Sequence, residues 1–515
     1  MITNLFKVFL LATWTIGIAV ILLFSLKLSE GYLIYTSDAP YIHMSVANNI
    51  LHGSYGINSG EFSSPSSSIL WPWLLTIPEV IGLGTYYPLV LNLIFTAITL
   101  IIASNFIVKE NIIQNTSIIT QMAISILLII CTSSLALPFT GMEHSLHVLL
   151  TVAIFTGLVS VSNDKSCWYL IPAIILVPLI RFEGYALSGT AILYLFFTNR
   201  RKEAMIAGGL VFTATLVYAI YMVTKDLPIL PSSVLYKSEA ITALAENAKN
   251  SHSIIAQFKE NIATIKGNFF LITIGLLFAY SFLMWKDYRN RSLMCIAVAM
   301  TITAHLFLGQ IIWSSRYEAY CTTISCLSIL FLISSHKELE CNEISKLVIV
   351  ALLLLPTITY LKPAFLAPSV SRDIYDQLYQ MRRFTLDFYR KPIVANDLGL
   401  VSYKNPSYVL DLWGLGLEEA RKLRLGNTYD IDAMNQLVVN HHIGLLMIYE
   451  HWLKEIPESW VPIAKLSIPK RSYRSNKSSI IFYATPEANQ TKLFEDLKEF
   501  KDTLPDRVTL EIFNR

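Results

Sequence analysis

The sequence predicts a polytopic α-helical membrane protein, with about eleven crossings, that carries a C-terminal α/β domain. Three observations predict it. Of 515 residues, 54% are hydrophobic and only 15% charged, against roughly 25% charged in soluble globular chains, and mean hydropathy is +0.50. Apolar runs close to the ~20 residues of one crossing recur through the first two thirds of the chain. After Pro363, Pro368 and Ser369 the composition turns polar, and short β-like runs alternate with amphipathic stretches. One large soluble enzyme is excluded. The net charge of +3, with basic residues in short clusters between apolar runs, also argues against nucleic acid as a partner. The six cysteines lie in or beside apolar runs and show no metal-ligand spacing.

The first run, 6–27, is long enough to span and lacks a small-residue cleavage site, so it reads as an uncleaved first helix. Further runs fall at 86–108, 117–137, 144–161, 167–180, 185–198, 204–223, 268–285, 293–312, 319–335 and 345–362. The positive-inside rule orients them. Lys7, Lys109, Lys165, Arg200–Lys202, Lys286/Arg289/Arg291 and Lys337/Lys346 all mark one side if the N-terminus is cytoplasmic. The run 69–83 holds Pro72, Pro78 and Glu79, and counting it as a crossing breaks that agreement. It reads as an interfacial helix anchored by Trp71 and Trp73. A reporter after Lys202 should therefore be internal, and one after Lys362 external. Residues 1–362 then form the transmembrane domain, with outer loops 28–85 and 224–267. Residues 363–515, about 150 residues and enough for a core of their own, form an outer α/β domain. Its helical stretches are 372–390, 416–424 and 429–442. Its β candidates are Ile393–Ala395, Tyr408–Leu412, Gly444–Tyr449, Ile463–Ile468, Ser479–Tyr483 and Val508–Phe513.

The first outer loop is the most informative stretch. Asp38 follows the first span by about ten residues, near the outer membrane face. Pro40 suits a first helical turn, Tyr41–Leu51 continue a helix, and Gly53 stops it. Asp38 thus reads locally either as an N-cap of this helix or as a site acid. Ser66–Ser68 could cap the interfacial helix. They have no base at a defined spacing, which speaks against serine catalysis.

An acid just after the first span, a short helix ending in NILHG and then GINSGEFSSPSSSILWPWLL resembles the GT-C superfamily of membrane glycosyltransferases, which use polyprenyl-phosphate sugars. The form it resembles is the bacterial arabinofuranosyl- and mannosyltransferase-like one. The resemblance continues, in order, through GMEHSLHVLL (141–150), LIRFEG (179–184), LPSSVLYKS (230–238), SSRYEAY (314–320), NDLGLVSY (396–403) and VLDLWGLG (409–416). It implies a GT-C-like fold in the bacterial inner membrane with a periplasmic C-terminal domain. The implied activity is inverting transfer of a hexosyl or pentosyl group from a polyprenyl-phosphate carrier to an envelope glycan, lipid or protein. The family pattern usually begins with two adjacent acids; here Ala39 replaces the second, so no cofactor is assigned and a divalent metal is left as an open alternative.

Such a transfer needs a base near the acceptor hydroxyl and cationic help at the leaving phosphate. Asp38 is the candidate base and Glu143, expected in an outer turn, the second catalytic candidate. His43, Arg181, Glu183, Lys237, Arg316 and Glu318 are the candidate substrate-binding residues. The arginines rank above Lys237 because a guanidinium meets phosphate oxygens with two parallel hydrogen bonds. Each also has a plainer reading: Glu143 as a solvated turn acid, Arg181 paired with Glu183 or snorkelling to the interface. A polytopic transporter or lipid flippase, and an inactive scaffold of the same fold, are the competing readings. Transporters usually place ionisable groups at mid-membrane, whereas the charges noted here gather at helix ends.

Overall fold

The structure, a computed structural model, describes residues 2–237, 251–311, 316–334, 342–426, 428–449, 452–453, 455–469 and 478–513. Among these, seven helices are long and apolar enough to cross a membrane: Leu5–Leu28, Gly84–Lys109, His144–Ser162, Arg201–Val223, Ile265–Met284, Arg289–Leu308 and Glu343–Tyr389. Ile118–Cys131, Leu170–Ile180, Gly184–Phe197 and Ala319–Ser334 are shorter apolar helices. Each apolar run expected to cross holds one of these helices, and the chain is a polytopic helical membrane protein with a C-terminal domain. The run 69–83 forms only the helix Trp71–Val80, roughly 15 Å long at ~1.5 Å per residue and too short to cross. Ser68 caps its start, with the Trp71 N–H donating to Ser68 Oγ at 3.0 Å.

The helix His144–Ser162 is apolar all round and wholly buried, which makes it the centre of the bundle. The peripheral Arg201–Val223 helix leaves most of its apolar surface outward. Lys109, Lys165, Arg289 and Arg291 line one cleft, so three of the basic loops meet at one end. The opposite ends of the same central helices carry Glu143 and His305.

The expected change after Pro363 is compositional rather than a break in the helix. One helical run continues from Glu343 to Tyr389, with Pro356 and Pro368 inside it. Contact with the first helix supports it there. Its last part widens into π-helical turns at Tyr375–Tyr379 and Phe384–Tyr389, where an extra residue per turn is accommodated.

The C-terminal sheet comprises β1 (Ile393–Ala395), β2 (Val409–Leu410), β3 (Leu445–Tyr449), β4 (Val461–Ser467), β5 (Ser479–Ala484) and β6 (Thr509–Ile512), in the order β2-β1-β3-β5-β4-β6. β1 is parallel to β2 and β3, and the other pairs are antiparallel. All six candidate runs therefore hold strands, although the run 408–412 keeps only two residues in register because its end bends into a tight turn at Asp411. Alternation sends Val394, Leu446 and Ile448 to one core with Met434 and Leu437. It sends Ile393, Leu445 and Met447 to the other core, with Phe384, Leu497 and Phe500. That second core is continuous with the apolar bundle.

Candidate active site

Tight local geometry gathers the polar groups at the helix ends opposite the basic cleft. A 3₁₀ turn, Leu137–Thr140, ends at Gly141 with φ +65. A Cβ there would also lie 2.8 Å from Pro40 and Tyr35, so only glycine fits, and Glu143 comes two residues later. Pro178 lies in the last turn of Leu170–Ile180, after which Arg181 is extended, at φ −149 and ψ 143. Gly184 then lets the chain turn back, because a Cβ would lie 2.3 Å from Val177 O. These constraints place Arg181 between two carboxylates.

Arg181 Nη1 donates to Glu143 Oε1 at 2.7 Å. Its Nε and Nη2 grip Glu183 at 3.1 and 2.6 Å. Nη1 also lies 3.2 Å from His144 Nε2, and the guanidinium sits 4.6 Å from the Tyr317 ring centre. Glu143 is fully buried; Ser67 Oγ donates to it at 3.2 Å, and His43 Nε2 lies 3.7 Å away. The His43 Nδ1 meets Ser66 Oγ at 3.0 Å. Burial alone would raise the Glu143 carboxyl, but Arg181 and then His43 outweigh it and hold it below the ordinary value. Glu183 shows the same contest, with burial pushing up and the Arg181 charge and hydrogen bonds pulling it to about 2. Arg181 itself is held charged against the burial penalty by its two carboxylates.

The folded value of Glu183 lies below the ordinary 4.5, so its contribution to stability is complete above about pH 4.5 and lost as pH falls towards 2. Thermal unfolding between pH 2 and 6 should show that acid limb, and Glu183→Gln should flatten it. An unaltered limb in the Gln variant would contradict the assignment.

Arg181 and Glu183 line a cavity of about 450 Å³ together with Ser67, Ser233, His305 and Tyr317. Five stretches far apart in sequence thus converge, four of them within motifs singled out in the sequence, through Ser67, through Arg181 and Glu183, through Ser233, and through Tyr317 and Tyr320. The fifth, around His305, lies inside an apolar run. His305 is fixed on several sides. Its Nδ1 meets Tyr320 OH at 3.1 Å, Phe270 stands edge-on at 6.2 Å, and Gly309 presses so close that a Cβ would lie 2.4 Å from Nδ1. Asn261 Nδ2 holds the adjoining carbonyls of Leu306 and Gly309 at 2.9 Å each. His305 Nε2 is buried and meets no hydrogen-bond partner among the described residues.

Asp38 is not the local N-cap that one reading of the sequence offered. It occupies the N-cap position of the Ala39–Leu51 helix but makes no side-chain cap there. Its Oδ2 and Oδ1 instead accept the Gly399 and Leu400 N–H groups at 2.7 and 2.8 Å. It therefore caps the short helix Leu398–Ser402 of the C-terminal domain, and it is not among the residues lining the cavity. Gly399 is required at that contact because a Cβ would lie 2.3 Å from Asp38 O. Asn58 extends the junction by exchanging bonds of 3.0 and 3.1 Å with the Val409 backbone. Tyr408 OH adds a bond of 2.7 Å to Glu61. Because both Asp38 oxygens accept, an amide can replace only one of them. Asp38→Asn is thus expected to cost about 1–3 kcal/mol, where a local N-cap would lose only a few tenths. Denaturant unfolding distinguishes the two.

Glu318 pairs with Lys266 at 2.6 Å in a second buried site, where burial pushes its carboxyl up against the pull of Lys266. Arg316 lies 5.7 Å from the Tyr317 ring centre. Lys237 ends the short helix Ser232–Lys237, and its side chain lies outside the described residues. Among the described residues no group of three His, Cys, Asp or Glu side chains could hold a metal ion. Asp38 accepts two backbone amides and Glu143 the Arg181 guanidinium.

Residues 372–483 match the model of a domain of unknown function, DUF8728. No curated protein matches the chain. Among solved structures, it is similar to the Archaeoglobus fulgidus oligosaccharyltransferase in its complex with Zn and sulfate, at 13% identity and a TM-score of 0.49. That alignment covers 91% of this chain and 73% of the other. The apo form of that protein aligns at 13% identity, TM-score 0.42, covering 91% and 76%. A third structure, the archaeal oligosaccharyltransferase AglB from Archaeoglobus fulgidus with an inhibitory peptide and a dolichol-phosphate, aligns at 11% identity, TM-score 0.41, covering 91% and 75%. These are likenesses of overall shape; the functional reading below rests on this chain's own residues.

Proposed function

We propose that the chain is a glycosyltransferase that moves a sugar from a polyprenyl-phosphate carrier to an envelope acceptor at the outer face of a bacterial inner membrane. The observation that carries this reading is the convergence of the separated motifs on one cavity at the helix ends. That is the level at which a lipid-linked phosphate would lie. The cavity combines a carboxylate, a buried guanidinium and aromatic walls, which suits a sugar bearing hydroxyls on an apolar ring. The N-terminus is then cytoplasmic and the C-terminal domain periplasmic.

In this reading Glu183 accepts the hydrogen bond of the acceptor hydroxyl and takes its proton late, as the acceptor oxygen bonds to the anomeric carbon. The anomeric carbon–phosphate oxygen bond breaks in the same displacement, with inversion, and polyprenyl phosphate leaves. With the Tyr320 hydroxyl donating to Nδ1, His305 Nε2 carries the ring proton and can donate to the leaving phosphate oxygen. Arg181, committed to its carboxylates, positions Glu183 rather than gripping phosphate. Arg316, beside Tyr317, supplies the cationic help. Asp38, taken from sequence as the base, becomes the residue that fastens the C-terminal domain to the first loop.

The test is the reconstituted protein with radiolabelled decaprenyl- and undecaprenyl-phosphate sugars. Label leaving the lipid for an acceptor supports transfer. Intact labelled lipid crossing the bilayer would establish a transporter, and neither outcome with folded protein would establish a scaffold.

A further inference from the structure

The motif VLDLWGLG does more than turn the chain. Asp411, buried at the end of β2, accepts the Trp413 N–H on Oδ1 at 2.8 Å and the Gly416 N–H on Oδ2 at 2.6 Å. Gly414 sits at φ +83, and a Cβ on Gly416 would lie 2.7 Å from Ile57. The loop 411–416 is thereby fixed at both ends. What it holds out is an indole: Trp413 remains 39% exposed. Trp452 stacks beside it, with ring centres 6.1 Å apart. The Arg424 guanidinium lies 3.9 Å from the Trp413 ring centre and 5.6 Å from that of Tyr429. These rings line a cavity of about 600 Å³ with Asp430 and Glu455 at its wall. It shares no lining residue with the cavity at the helix ends.

Tyr429 and Trp452 rest against the core of this face, whereas Trp413 belongs to neither core, and a large exposed indole beside an open hollow marks a binding surface. The occupant must offer flat apolar faces to the rings and hydroxyls to both an arginine and two carboxylates. A phosphate would meet the acids unfavourably. A simple cation would meet Arg424, which already lies over two of the rings. A lipid chain would leave the charged groups desolvated without partners. The volume lies within the roughly 300–1,000 Å³ range of small-ligand clefts.

We propose that this cavity is a carbohydrate-binding site, in which sugar C–H faces stack on Trp413, Trp452 and Tyr429 and sugar hydroxyls bond to Arg424, Asp430 and Glu455. The assignment does not depend on glycosyl transfer, since a domain can hold a glycan whether or not the chain transfers sugar. Where both hold, this surface carries the acceptor chain.

The test uses the full-length protein in a detergent without a sugar headgroup. Mannohexaose, arabinofuranohexaose and maltohexaose are titrated in, and binding is read by calorimetry and by saturation transfer from aromatic protons. At least one hexasaccharide should bind with an affinity of about 5 mM or tighter. Trp413→Ala should weaken it about tenfold or more, and Arg424→Ala should also weaken it with the ring in place. Trp168→Ala, at an indole 87% exposed elsewhere, should not. If Trp413→Ala fails to fold, Arg424→Ala decides alone. Wild-type protein that binds none of the three sugars, or a folded Arg424→Ala protein that binds them unchanged, would overturn the site.

Discussion

Replacing Arg181 by alanine is expected to remove about 3–5 kcal/mol of stability, the usual cost of stripping one partner from a buried ion pair. The reason lies in what stays behind. Glu143 is fully buried, and its Oε2 has no hydrogen-bond partner among the described residues. Without the 2.7 Å bond from Arg181, Glu143 keeps one bond from Ser67 and a loose approach to His43. Glu183 loses both of its guanidinium bonds at the same time. Arg181→Lys should recover only part, because one ammonium cannot span both carboxylates. Adding Glu143→Gln to Arg181→Ala should also recover part, by removing the stranded charge. Denaturant unfolding in bicelles reads all three. An Arg181→Ala protein within about 1 kcal/mol of wild type would show that Arg181 and its two carboxylates do not hold this part of the fold together.

Glu183→Gln is expected to leave the protein folded near neutral pH and to lower turnover by about 10²–10⁴, the range for loss of a positioned base. Arg181 keeps Glu143 in that variant, so structure and chemistry separate. Asp38→Asn should behave in the opposite way, with lost stability at the domain junction and a smaller loss of turnover in the protein that remains folded. Full activity in Glu183→Gln, with a collapse in folded Asp38→Asn, would return the base to Asp38.

Much of the fold was legible because apolar length and strand alternation are local signals. The runs that became helices, the short helix within 69–83 and the six strands needed no knowledge of distant partners. Pro363 and Pro368 mark a polar change within a helix that packing carries onward to Tyr389. The site was legible only in part. Glu143, Arg181 and Glu183 stood out as charges between apolar runs, and the structure brings them together with His43. The partner of Asp38 could not be found locally, because Gly399 and Leu400 lie 361 and 362 residues away. His305 was passed over inside the run 293–312, although an ionisable side chain within a membrane-length apolar run is itself a functional signal. The reason for the motif at 409–416 was equally hidden, since the packing of Gly416 on Ile57 joins distant segments.

The most direct test of donor binding in this cavity is photo-crosslinking of the protein in membranes. A photoreactive residue at Phe182 or Tyr185, both on the cavity wall, should capture a radiolabelled polyprenyl-phosphate sugar, and excess unlabelled donor should suppress the product. The same residue at Phe282, 85% exposed on the flank of another helix, should give only a background that donor does not suppress. Capture at Phe282 equal to that at Phe182 and Tyr185, or no suppressible product at either cavity position, would contradict the assignment of the cavity to the donor.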